Sequence, residues 1–389
     1  MRILVLGGGG KEGGAIAKRL AAESDISQVV VGDRSKNRAE ESVAKIGKKG
    51  SVAIIDINDT TALVNLIRKV DLVTNCVGPF YRFKTKVLKA AIEAKKNYVD
   101  IVDDADVVLE MLELDKAAKE AGILALISMG STPGLSNVIC KYGADKLDRV
   151  DKIHIYWVIH IAASGGGTGA ALHSWHMFSQ NLQFLDAKLT MVPCGSGVEI
   201  VDFSDGQGEV YYCGHSEQIT LPRYIKGVKE VTNKGGILPD WVTRDQLKLM
   251  DMGFNTDEPI KIRADTFIIP IEVGLAMHYR YVQQRKDFGL PWQGEKWEVI
   301  GEKNGKATTY SYQFRKGSKF MASDASMDVV SSLPATTGVC MVARGEVGNV
   351  KGVVAPEGCL DPKLFLSRFM KEGGEALTET VTVSGDLEI

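Results

Sequence analysis

The opening of the chain constrains it most. A short apolar run, Ile3-Leu4-Val5-Leu6, breaks at once into Gly7-Gly8-Gly9-Gly10-Lys11-Glu12-Gly13-Gly14. Ala15, Ile16 and Leu20 then share one helical face. A strand that runs into glycine and reopens as a helix can turn sharply, bring its backbone close to an anion and pack helix on strand with no side chain between. The helix N-terminus adds free N–H groups and partial positive charge. Two spacings fit: Gly8-x-Gly10-x-x-Gly13, or Gly7-x-Gly9-x-x-x-Gly13. Either makes Gly7, Gly9, Gly10 and Gly13 the candidate positions for cradling a dinucleotide pyrophosphate.

The next stretch has the rhythm that such a turn requires. Apolar runs at 2–6, 28–32, 51–55, 71–76, 97–102 and 123–128 alternate with helical patterns such as Leu63, Leu66, Ile67 and Val87, Leu88, Ala91, Ile92. Strands alternating with helices predict a parallel sheet, and six strands make a full Rossmann unit. Asp33 closes the second run, where a carboxylate can accept from the adenosine ribose. It favours NAD by repelling a 2′-phosphate, whereas Arg34 and Lys36 can pair with that phosphate. The sequence leaves NAD and NADP both open.

Ser131-Thr132-Pro133-Gly134 then predicts a capped helix running from 135 to about 147. From about 151 the texture shifts to strand-like runs at 153–161, 209–212, 265–270 and 307–315, which predicts a second, α+β domain with a largely antiparallel sheet. The glycine-rich stretch at 164–169 reads as a connection or a loop that approaches a ligand. From Leu333 to about Lys371 the texture returns to helix–strand–helix.

With 389 residues, 44% hydrophobic and 25% charged, the chain has the size and composition of a two- or three-domain globular protein. A net charge of −2 supplies no basic excess for nucleic acid. No apolar run reaches membrane-span length, and six scattered cysteines without a C-x-x-C pair read as free thiols, so the expected compartment is the cytoplasm.

Three further segments carry a resemblance. They are Thr74-Asn75-Cys76-Val77-Gly78-Pro79-Phe80-Tyr81, Tyr98-Val99-Asp100-Ile101-Val102-Asp103-Asp104 and Gly130-Ser131-Thr132-Pro133-Gly134-Leu135-Ser136-Asn137. In that order and spacing the chain resembles the saccharopine dehydrogenase-like family, whose branches include saccharopine reductase, lysine 6-dehydrogenase and carboxynorspermidine synthase. His215-Ser216-Glu217, Leu221-Pro222-Arg223, Thr336-Thr337-Gly338 and Gly352-Val353-Val354-Ala355-Pro356-Glu357 are similar elements further on. The resemblance implies a discontinuous Rossmann domain over 1–130 and 333–389, with a substrate-binding and dimerisation domain over 131–332. It implies a homodimer, NAD or NADP as cofactor, and hydride transfer at a carbon–nitrogen bond of a small amino-acid-like substrate. The chain departs from the saccharopine reductase branch at Thr132 and Asp103, which makes lysine 6-dehydrogenase the nearer template for that turn.

Such chemistry asks for three parts. Asn75, Cys76, Val77, Gly78 and Pro79 are the candidate wall for the nicotinamide. Arg223 is the candidate cation for a substrate carboxylate, since a guanidinium binds carboxylate bidentately. The acid/base candidates are His215, Asp103, His160 and His173, with Asp103 also placed to hold a substrate ammonium. His173 and His176 share a helix face, but no third ligand argues for a metal. Trp157, Trp175, Tyr279 and Tyr281 read as core or dimer-interface residues. A carbonyl or enoyl reductase on the same scaffold, or a non-catalytic dinucleotide sensor, are the competing readings.

Overall fold

The computed structural model describes residues 1–162, 168–319, 321, 327–375 and 377–384. The chain divides into two compact units, one of Met1–Asp145 with Met327–Glu375 and the other of Lys146–Ser326 with Ala376–Ile389.

The first unit is a doubly wound parallel sheet. Its strands are β1 (Arg2–Leu6), β2 (Gln28–Asp33), β3 (Gly50–Ile54), β4 (Leu72–Asn75), β5 (Asn97–Asp100) and β6 (Leu124–Leu126). Strand Gly352–Val354 adds to the far edge, giving the order Gly352–Val354, β6, β5, β4, β1, β2, β3. The chain reverses direction across the sheet between β1 and β4, the switch point where ligands bind in such folds. Ile3, Leu4, Val5 and Leu6 are wholly buried, because helices cover both faces of a parallel sheet. Register aligns the carboxyl ends: Leu6 pairs with Gly32 and Asn75, and Asn75 with Asp100. Helix α1 (Lys11–Ala22) buries Gly13, Ile16, Ala17 and Leu20, and helix Met327–Ala343 packs on it, with Arg19 Nε donating to Ser332 Oγ at 3.0 Å.

The second unit is built on β7 (Arg149–His160), which pairs parallel with strand Glu230–Leu238 and antiparallel with strand Gly294–Lys303. All other pairings in this nine-stranded sheet are antiparallel. Asn304 (φ 51°) and Gly305 (φ 74°) turn strand Gly294–Lys303 into strand Lys306–Phe314, the left-handed pair that a two-residue hairpin needs.

Helix Leu135–Ala144 lies in the first unit, although the sequence expectation began the second domain at 131. Asn137 Nδ2 donates to Glu357 Oε2 at 2.9 Å in the interior, tying that helix to the returning tail. Strand Leu377–Val383 lies in the second unit, paired with strand Lys306–Phe314, although the expectation gave the whole tail to the first. The strand expected at 265–270 is a three-residue piece, Thr266–Ile268, in a separate hairpin, and Pro270 opens a helix. No helix among the described residues is long and apolar enough to cross a membrane.

Candidate active site

In the first unit the glycine turn decides between the two spacings. Gly7 takes φ +73°, and a Cβ there would lie 2.6 Å from Cys76 O. Gly13 sits on the other side of the same turn, where a Cβ would lie 2.4 Å from Gly7 O. A Cβ on Gly9 would strike the Asp33 carboxylate at 2.7 Å. Gly8 is as tight, with a Cβ 2.8 Å from Val5 O, but Gly10 is looser, with Gly7 O at 3.1 Å, so Gly7-x-Gly9-x-x-x-Gly13 is the spacing whose three positions are all closed to a side chain. Gly10 is the N-cap of α1 and has no side chain to occupy the helix N-terminus. Such a cradle, which side chains would fill, fits a dinucleotide pyrophosphate.

Asp33 is 6% exposed and already engaged. Its Oδ2 accepts from Gly9 N at 3.2 Å, and its Oδ1 from Ser35 N at 2.9 Å and from Arg38 Nη2 at 3.1 Å. The carboxylate therefore braces the turn. Arg34 is exposed beside it, and among the described residues it pairs with no acid. Lys36 reaches Glu40 at 3.8 Å on the surface of the following helix.

The wall expected after β4 stands at the same carboxyl edge. Asn75 is buried, donates from Nδ2 to Tyr98 Oη at 3.1 Å and accepts Val77 N at 3.1 Å, which shapes the Cys76-Val77-Gly78-Pro79 turn. Cys76 N is held on Leu6 O at 2.9 Å. Burial, with the Glu12 and Asp100 carboxylates adding to it, pushes the Cys76 thiol well up, which keeps it uncharged. The neighbouring Asp100 is fully buried and is pushed up to about 6 by burial. Its Oδ1 accepts from Ser128 N at 2.7 Å and from Val102 N at 3.1 Å. Asp103 is half-buried in the loop after β5, at this edge. Asp104, the other half of that pair, accepts Tyr81 N at 2.8 Å and holds the loop after β4.

In the second unit His215 sits between strand Gln207–Tyr212 and helix Glu217–Tyr224. Gly214 pins this segment: its N–H donates to Met177 O at 2.8 Å, and a Cβ there would lie 1.8 Å from Gln180 O. His215 is 4% exposed, and its ring stacks on Trp157 with centroids 5.8 Å apart and 16° between planes. His173 lies 5.9 Å away by ring centroid. Burial, with His173 adding to it, holds the imidazole well below its ordinary value. A buried polar network supports it. Trp157 Nε1 donates to Asn233 Oδ1 at 2.9 Å, Asn233 N to Gln183 Oε1 at 3.0 Å, and Gln183 and Gln218 both donate to Cys213 O at 2.8 Å.

The other candidates divide. His160 is taken up by the backbone, accepting Ala162 N at 3.1 Å and meeting Phe288 O at 2.9 Å, so its role is to fix that loop. His173 and His176 share helix Thr168–Ser179, and the His173 ring lies beside His215. Arg223 is exposed in the last turn of its helix, while residues 217–221 of that helix are buried. The stretch at 164–167, read as a ligand-approaching loop, lies outside the described residues, and Thr168 and Gly169 open the helix that carries His173.

The first unit thus gathers Gly7, Gly9, Gly10, Gly13, Asp33, Arg34 and Asn75 to Pro79 at one sheet edge, with Asp103 in the loop after the adjoining strand. Sequence reasoning passed over Arg38, whose signal is the Ser35 cap three residues earlier. It also passed over Asn233 and read Trp157 as bulk, although Gly235 opposite that indole marks the room it takes.

Comparison with known proteins agrees with this geometry. Residues 3–126 match the family model described as saccharopine dehydrogenase NADP binding domain. The cofactor class of the first unit is therefore NAD or NADP. The chain is 24% identical over 377 residues to carboxynorspermidine synthase of Vibrio cholerae serotype O1, covering 89% of each. It is 38% identical over 104 residues to the NADP(+), L-glutamate-forming saccharopine dehydrogenase of Pyricularia oryzae, covering 26% of this chain and 22% of that one. In fold it resembles apo saccharopine dehydrogenase (L-Glu forming) from Saccharomyces cerevisiae, with TM-score 0.70 and 16% identity over 98% of this chain and 99% of that chain. It also resembles homospermidine synthase of Legionella pneumophila, solved with NAD, with TM-score 0.61 and 12% identity over 100% and 94%.

Proposed function

We propose that this chain, a saccharopine dehydrogenase-like oxidoreductase whose residues 3–126 match the NADP-binding domain of that family, acts on a carbon–nitrogen bond of a carboxyl-bearing amine. The observation that carries the reading is the similarity to carboxynorspermidine synthase, which runs through both units and not through the cofactor domain alone. The substrate class is an amino acid or an opine-type secondary amine. The cofactor, when bound, supplies or accepts the hydride.

The chain's own residues then have positional work. Gly7, Gly9, Gly10 and Gly13 hold the pyrophosphate against the N-terminus of α1. Arg34, with Arg38 neutralising Asp33, favours a 2′-phosphate and hence NADP. Asn75, Cys76, Val77, Gly78 and Pro79 form the wall of the nicotinamide site. Asp103 holds the substrate ammonium, His215 hydrogen-bonds substrate in the second unit, and Arg223 offers an exposed guanidinium to its carboxylate. The second unit also carries the contact of a homodimer.

Nicotinamide absorbance at 340 nm tests this with both cofactors in parallel. The oxidative arm uses lysine, ornithine, glutamate and saccharopine, and the reductive arm pairs a diamine with a carboxyl-bearing aldehyde. A reproducible rate in either arm supports the reading. Reduction of simple ketones or enoyl esters, with silence toward every amine, replaces it with a carbonyl or enoyl reductase. Cofactor binding with no turnover of any class replaces it with a sensor.

A further inference from the structure

We propose that Trp157 and Asn233 lock His215 as a neutral imidazole with its proton on Nε2, so that the second unit offers substrate a hydrogen-bond donor suited to a carboxylate oxygen and not a base. The substrate half rests on the function proposed above; the tautomer does not.

The argument follows donors and acceptors in turn. An indole N–H can only donate. The Asn233 side-chain atom 2.9 Å from Trp157 Nε1 must therefore be the amide oxygen, and the Cys213 thiol, 3.2 Å away, donates to the same atom. That orientation turns the Asn233 NH2 toward His215 Nδ1, at 3.5 Å. An amide NH2 cannot accept, so Nδ1 must present its lone pair, and the proton of the neutral ring goes to Nε2. Charging the ring would set an Nδ1–H against the amide N–H in a site with almost no water contact. Burial opposes the charge in the same direction.

The ionisable neighbours within this unit do not reverse the result. Glu217 Oε2 lies 3.8 Å from Nδ1, beyond hydrogen-bond reach. His173, from helix Thr168–Ser179, disfavours positive charge on His215. The Cys213 thiol is pushed well up by burial and stays neutral. Strand geometry fixes the lock: Gly235 pairs with Trp157 across the sheet, and a Cβ there would lie 2.0 Å from the indole, so glycine lets the ring lie flat beside Asn233. The result is a buried Nε2–H with no partner among the described residues. A buried donor of this kind gains most from an incoming oxygen, above all a charged one.

Long-range 1H–15N spectra of the full chain labelled with 15N-histidine read the tautomer without any substrate. The chain has six histidines, and the pattern lost in His215→Gln assigns the one in question. The expected result is an uncharged Nε2–H pattern from about pH 5.5 to 8. Asn233→Asp, whose carboxylate accepts from both the indole and the ring, should convert it to an Nδ1–H or charged pattern. An Nδ1–H or charged His215 in the unmodified chain overturns the lock, whatever the activity assay gives. The donor role is read on the turnover found at 340 nm. His215→Gln keeps an N–H donor and should retain at least about ten times the kcat/KM of His215→Phe. Equal loss in the two variants overturns the donor role. An Nε2–H pattern beside a silent substrate panel overturns the proposed substrate class and leaves the lock standing.

Discussion

Arg38 Nη2 and Asp33 Oδ1 lie 3.1 Å apart, and this contact changes what an acid at the end of β2 means. A bare carboxylate there repels a 2′-phosphate. Here Asp33 is half of an ion pair that also holds Gly9 N and Ser35 N, and Arg34 stands exposed next to it. The local field is therefore favourable to added negative charge.

Arg34→Ala should raise KM for NADP by about ten- to a hundredfold, the loss expected for one charge-assisted contact, with little change for NAD. Arg38→Ala should move the preference toward NAD, because the Asp33 carboxylate is then no longer offset by a neighbouring guanidinium. Initial rates with the two cofactors at one fixed substrate concentration check both. Equal loss for NAD and NADP in Arg34→Ala would take the 2′-phosphate away from this residue.

The turn itself predicts a separation of stability from binding. In Gly13→Ala the new methyl would meet Gly7 O at 2.4 Å, so α1 must draw back from the turn. Overpacking of this kind costs about 1–3 kcal/mol. Cofactor affinity, read by calorimetry, should fall by more than tenfold, while far-ultraviolet circular dichroism stays that of the folded chain. Undiminished affinity would show that the pyrophosphate does not use the N-terminus of α1.

The contrast between what was legible and what was not has physical causes. Strands β1, β2 and β4 to β6 are readable because a sheet covered on both faces favours apolar runs, while the edge strand β3 keeps only a short run with Val52 and Ile54 exposed; the glycine turn is readable because no other residue fits beside Cys76 O and Gly7 O. Strand Glu230–Leu238 was missed. Its sequence, Glu-Val-Thr-Asn-Lys-Gly-Gly-Ile-Leu, carries an amide and two glycines where periodicity expects apolar side chains. Those departures are its function: Gly235 admits the Trp157 ring and Asn233 orients it. The alternating strand Leu377–Val383 has a plain two-residue period, but its partner, strand Lys306–Phe314, is set by tertiary pairing that local pattern does not encode.

Gly235→Ala should be costly for a small change. Its methyl would sit 2.0 Å from the indole, so Trp157 must leave the strand surface and Asn233 loses its fixed acceptor geometry. A loss of about 1–3 kcal/mol follows from overpacking, and kcat/KM should fall with it. Tryptophan fluorescence reports the ring displacement directly. An unchanged spectrum with full activity would mean that the strand absorbs the methyl by shifting.

Arg223→Ala should raise KM for carboxyl-bearing substrates and leave folding intact, since the residue is exposed and pairs with no acid among the described residues. Unchanged kinetics with a carboxylate substrate would remove Arg223 from the site.

Asp100 gives the pH prediction. Burial raises its carboxyl from 3.8 to about 6, and unfolding returns it to the ordinary value. The folded state therefore holds this proton more tightly than the unfolded one. The stabilising contribution is complete below about pH 4 and is lost as pH rises through about 6. A pKa difference of about 2 corresponds to ~3 kcal/mol as an upper bound. Asp100→Asn keeps an oxygen for the Ser128 and Val102 N–H groups and cannot ionise. Its stability relative to the unmodified chain should climb between about pH 4 and 7, read from the urea midpoint of the transition that includes the first unit. A constant offset across that range would mean that Asp100 is already ionised at pH 4 in the folded chain, with the Ser128 and Val102 N–H groups outweighing its burial.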